Sequence, residues 1–107
     1  MSDTHRRILE LLLASDVRVS EHGYDELADD AIAVQAVLDG APLSRVIEDY
    51  PGYPKGPSVL VLQFDEAMRP IHVVWGIPRG FDRPAVLVTA YRPDPARWNH
   101  EFTERRK

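Results

Sequence analysis

Histidine, tyrosine, glutamate and arginine together suffice to cleave RNA without a metal. One group takes the proton of the attacking 2′-hydroxyl, another protonates the leaving oxygen, and a cation holds charge on the phosphoryl oxygens. The chain carries these residue types at positions worth following. His22 stands where a helix begins, Glu48 and His72 fall in strand-like runs, and Tyr91, Arg92 and Arg97 surround the last strand and its turn. Tyr50, Tyr53 and Lys55 belong to a Pro/Gly-rich stretch in which rings can stack on a base and an ammonium can touch a phosphate. The expected catalytic set is therefore His22, His72, Tyr91 and Arg92, with Lys55 and Arg97 as substrate-binding cations. Each residue also has a plainer role. His22 can hydrogen-bond backbone at the start of its helix, and His72 can be a half-buried cross-strand partner. Tyr91 can pack its ring, Arg92 can pair with Asp94, and the loop tyrosines can be packing residues.

Other chemistries have little to stand on. The four histidines, His5, His22, His72 and His100, show no paired i, i+3 or i, i+4 placement, so no metal site is expected. There is no cysteine, which excludes disulfides, thiolate catalysis and cysteine-based zinc or iron–sulfur sites. Neither a P-loop, a dinucleotide fingerprint nor a Gly-x-Ser-x-Gly elbow is present, and no cofactor is expected. The carboxylates gather at Asp25, Glu26, Asp29 and Asp30, where a helix macrodipole explains them without function.

The elements that must position these groups follow from periodicity. Residues 3–14 read as a helix capped by Asp3 or Thr4, with Ile8, Leu9, Leu11, Leu12 and Leu13 as its apolar stripe. Val17–Ser20 alternates as a short strand. Leu27, Ala31, Val34 and Leu38 recur at helical spacing, which predicts one helix from Tyr24 to Leu38, stopped by Asp39-Gly40-Ala41-Pro42. Four strand candidates follow, Arg45–Tyr50, Ser58–Phe64, Ile71–Ile77 and Ala85–Tyr91, joined by connections too short for parallel crossovers. Asp94 and Pro95 then open a closing helix with Trp98 and Phe102 as its core anchors. The expected fold class is α+β: a small antiparallel meander of about four strands with helices packed on one side.

Alternation assigns faces. Ile71, Val73, Trp75 and Ile77 form a uniformly apolar set that should face the helices, which sends His72 to the open side. On the last strand, Ala85, Leu87, Thr89 and Tyr91 are the more polar set. If that set shares the face of His72, a histidine and a phenol lie on one uncovered surface.

At 107 residues, 44% hydrophobic and 28% charged, the chain is expected to form a single domain over residues 1–107. No apolar run reaches the length of a membrane span and no cleavable leader is evident, so the expected location is the cytoplasm. The net charge of −4 conceals an asymmetry: residues 1–68 hold thirteen acids and five bases, residues 69–107 eight bases and four acids. Eleven of the thirteen bases are arginine, which suits bidentate phosphate contacts. The overall acidity is far from the basic footprint of a dedicated nucleic-acid binder.

Several segments together support a comparison. Val19-Ser20-Glu21-His22, Val37-Leu38-Asp39-Gly40 and Val46-Ile47-Glu48-Asp49-Tyr50-Pro51 come first in the chain. Gly56-Pro57-Ser58, Arg69-Pro70-Ile71-His72-Val73-Val74 and Val88-Thr89-Ala90-Tyr91-Arg92-Pro93-Asp94-Pro95-Ala96-Arg97-Trp98 complete the pattern. Over residues 17–98 this order resembles the prokaryotic domain-of-unknown-function family 4258 (DUF4258), with the helix at 3–14 outside it. That family is in turn distantly similar to RelE- and BrnT-type toxins, which cleave messenger RNA and are held inactive by an antitoxin. The resemblance implies a RelE-like fold and, as expectations, RNA as substrate or ligand and an antitoxin-like protein partner. His22, His72 and Tyr91 match positions characteristic of the family. The alternative expectation is a non-catalytic module that binds a partner protein through its open sheet face or an edge strand.

Overall fold

The computed structural model describes residues 2–106. Helix α1 (Asp3–Leu13) is capped one residue earlier than the sequence suggests, because the Ser2 hydroxyl accepts from the His5 amide. Ile8 is fully buried, Leu11 and Leu12 pack against the core, and Leu13 of the expected stripe points to solvent, 85% exposed. Strand β1 (Val17–Val19) follows, then α2 (Glu21–Asp29), capped by the Ser20 hydroxyl accepting from the Gly23 amide. Gly23 has a packing reason: a Cβ there would lie 2.8 Å from the carbonyl oxygen of Leu87, so only glycine lets α2 sit this close to the sheet.

The single helix expected from Tyr24 to Leu38 is two. After α2 the chain turns through Ala31 at φ 53°, and Ile32 swings into the core with its amide on the Leu27 carbonyl. Helix α3 (Val34–Gly40) then starts afresh and ends in a 3₁₀ turn, Ala41–Leu43. Asp30 secures the break, its carboxylate accepting from the backbone amide of Arg92. An aspartate bonded to distant backbone ends the helix where apolar spacing alone would extend it.

Strands β2 (Arg45–Tyr50), β3 (Ser58–Phe64), β4 (Pro70–Gly76) and β5 (Ala85–Tyr91) form the antiparallel meander, within one residue of their sequence bounds. The sheet has five strands in the order β1-β5-β4-β3-β2, because β1 adds in parallel beside β5, with Arg18 opposite Val86. The parallel pair is possible because helices and three strands separate β1 from β5. All helices lie on one face, over a core of Val59, Val61, Ile71, Val73, Trp75 and Leu87.

The expected closing helix is absent. Asp94 does cap one turn, accepting from the amides of Ala96, Arg97 and Trp98, but the turn does not propagate. The Asn99 side chain instead accepts from the amides of Thr103 and Glu104, and a bridge between Trp98 and Arg105 closes a hairpin-like loop. Local side-chain bonds outcompete the helix. The loop folds back over the sheet face opposite the helices.

Candidate functional site

His72 lies on the helix-free face, as alternation requires, but that face is not open where His72 stands. The residue is fully buried, and the face is covered there by the C-terminal loop. Trp98, itself 3% exposed, meets the imidazole edge to face with ring centroids 4.4 Å apart. Imidazole Nε2 is 2.8 Å from the Phe102 carbonyl oxygen. A carbonyl only accepts, so Nε2 carries the proton and Nδ1 presents a lone pair. Tyr91 Oη is 3.3 Å from Nδ1 and donates its proton to it.

Two β-bulges bring the other groups to this face. On β2, Val46 pairs with core residue Val61, and alternation would turn Glu48 and Tyr50 toward the helices as well. An extra residue at Ile47 makes Glu48 pair with Leu60, on the far side. On β5, Leu87 pairs with core residue Trp75, yet past the shift Thr89 pairs with Val74 and Tyr91 with His72. The set Ala85, Leu87, Thr89, Tyr91 is therefore split: its first two members face the helices, and Tyr91 joins His72.

Glu48 is held by Arg105, whose Nε and Nη2 donate to the two carboxylate oxygens at 2.8 and 3.0 Å, and by the Tyr50 hydroxyl, which donates at 2.6 Å. The guanidinium stacks over Trp98, with Cζ 4.8 Å from the ring centroid. Arg105 holds the Glu48 carboxyl below its ordinary range. Burial pushes the Tyr91 phenol up and the His72 imidazole down, each favouring the uncharged form. The result is an ionised carboxylate, a protonated phenol and a neutral imidazole beside one cation.

Of the residues expected from the sequence, His72 and Tyr91 are brought together. His22 lies on the exposed surface of α2, on the other side of the sheet, with Nε2 3.5 Å from Glu26. Arg92 pairs not with Asp94 but with Asp65 at 2.8 Å, and Nη1 donates to the Pro70 carbonyl, so it braces the turn between β3 and β4. Arg97 is exposed and its carbonyl accepts from the Arg106 amide. Lys55 sits apart, beside Tyr53 on a separate groove. Sequence reasoning did not select Arg105 and kept Glu48 and Tyr50 outside the expected catalytic and substrate-binding set. Arg105 opens a basic run at the chain end that reads as a solvated tail, and nothing in the sequence marks the bulges.

Among the described residues, no group of three or more metal-ligating side chains is close enough to hold an ion, and no helix is long and apolar enough to cross a membrane. The family model described as domain of unknown function (DUF4258) matches residues 19–92, and the chain belongs to that family. Neither the curated proteins nor the solved structures offer a match.

Proposed function

For this DUF4258 member we propose metal-independent cleavage of RNA, of the kind carried out by RelE- and BrnT-type toxins. The observation that carries this reading is geometric: two β-bulges turn Glu48, held by Arg105, and Tyr91, beside His72, onto one face of the sheet. Glu48, ionised at neutral pH, takes the proton from the attacking 2′-hydroxyl. The 2′ oxygen bonds to phosphorus, the bond to the 5′ oxygen breaks, and Tyr91, turning its one O–H away from His72 Nδ1, passes that proton to the departing oxygen and is left as the phenolate. Arg105, with Nη1 free of a partner among the described residues, steadies charge on the phosphoryl oxygens. His72 acts as a positioning residue, holding the phenol through Nδ1 until the proton is passed on.

Tyr91→Phe and Glu48→Gln are each expected to slow cleavage of a single-stranded RNA about 100-fold with an unchanged circular dichroism spectrum. Equal rates for both variants and the parent protein would remove the assignment.

A second reading, a non-catalytic interaction module that binds an antitoxin-like protein, is favoured by one specific observation. His72 is enclosed, and both ring nitrogens are occupied within the chain. On that reading the cluster only fastens the C-terminal loop, and folded protein leaves RNA intact.

A further inference from the structure

Beside the covered cluster, the same sheet face carries an open groove of about 500 Å³. It runs across the strands, with lining residues from all five, a width of roughly 19 Å at ordinary strand spacing. Val74, Val86 and Val88 form an apolar floor, deepened where Gly76 presents no side chain. Tyr50 and Tyr53 stand at one side, 45% and 51% exposed. Arg18 and Lys55 are exposed on the rim, and neither makes an ion pair among the described residues, although the chain carries net negative charge.

We infer that this groove holds a single-stranded RNA segment flanking the cleaved bond, with bases stacked on Tyr50 and Tyr53 and phosphates held by Arg18 and Lys55. The inference rests on the proposed RNA chemistry of the neighbouring cluster and names the surface that would deliver the substrate. Apolar walls with exposed rings and unpaired cations fit a base–phosphate polymer. An extended peptide fits poorly. Along the floor the backbone amides of β3, β4 and β5 are engaged in the sheet ladder, so a peptide laid across the strands would leave its own backbone groups unpaired. Tyr50 joins the two regions, because its ring lines the groove while its hydroxyl donates to Glu48.

The test is fluorescence anisotropy with a labelled 2′-O-methyl oligouridylate, which binds as RNA does but lacks the nucleophile. Saturable binding is expected, weakening with added salt and about tenfold weaker for Tyr53→Ala and for the Arg18→Glu, Lys55→Glu double variant. Tyr91→Phe should leave that affinity within twofold. Groove-dependent binding by a protein that leaves RNA uncut supports the groove and rejects the nuclease reading. Unchanged affinity and unchanged cleavage in the groove variants overturn the groove and spare the nuclease reading. Failure of the parent protein to bind the oligonucleotide, or binding only of a peptide, also overturns the inference.

Discussion

A fully enclosed imidazole with a defined tautomer is a stability element as well as a candidate part of a site. Burial lowers the proton affinity of His72, so below the ordinary imidazole value of about 6.5 the unfolded chain binds more protons than the folded one. Stability should therefore fall as pH drops from about 6.5 toward the lowered folded value. Urea titrations between pH 7.5 and 5 are expected to show this loss. His72→Gln, whose amide can still donate to the Phe102 carbonyl, should retain only the part of the slope due to His5, which burial also lowers. Parallel slopes in the two proteins would contradict the assignment. Glu48 acts lower on the scale: Arg105 depresses its carboxyl, so its contribution is present above the ordinary carboxylate range and is lost as pH falls through the folded value. That His72 faces away from the helices was legible from the apolar series Ile71, Val73, Trp75, Ile77. That it would be sealed was not, because the covering residues lie about thirty positions away in a segment whose pattern suggests a helix.

At the scale of elements, strand existence was legible and strand facing only partly so. Alternation and turn residues locate β2 to β5, but the bulges at Ile47 and near Val88 involve ordinary strand formers with no glycine to mark them. Each reverses the facing of everything beyond it, and together they assemble Glu48, Tyr50 and Tyr91 with His72. Helix ends were misread for a related reason. Apolar spacing continues through Ala31, while the partner that stabilises the break, the Arg92 amide, is sixty-two residues distant. The loop between β2 and β3 depends on Gly56, at φ 129°, where a Cβ would lie 1.9 Å from the Ile77 carbonyl oxygen. Gly56→Ala is expected to cost about 1–3 kcal/mol, measured by chemical denaturation, as the loop is forced off the end of β4. An unchanged midpoint would show that the loop adapts freely.

Across the whole molecule, the charge asymmetry of the sequence becomes a set of contacts between its halves. Asp16 pairs with Arg83, Asp65 with Arg92 and Glu48 with Arg105, each an acid of the first part with a base of the second. The guanidinium of Arg105 is exposed and a pair of that kind contributes little, so the C-terminal loop is held chiefly by its buried anchor. Trp98→Ala should lose about 3–5 kcal/mol in denaturant titrations, while Arg105→Ala should lose less than about 1 kcal/mol. A similar loss for both would place the anchoring in the ion pair instead.

The proposed RNA cleavage requires a carboxylate, a phenol and a guanidinium acting together on this face. It is tested most directly by incubating the purified protein, free of host nuclease and in excess chelator, with 5′-labelled single-stranded RNA and analysing the fragment ends. Fragments ending in 2′,3′-cyclic phosphate are expected, with yields collapsing for Tyr91→Phe and Glu48→Gln. Intact RNA in the presence of folded parent protein would exclude the proposed cleavage.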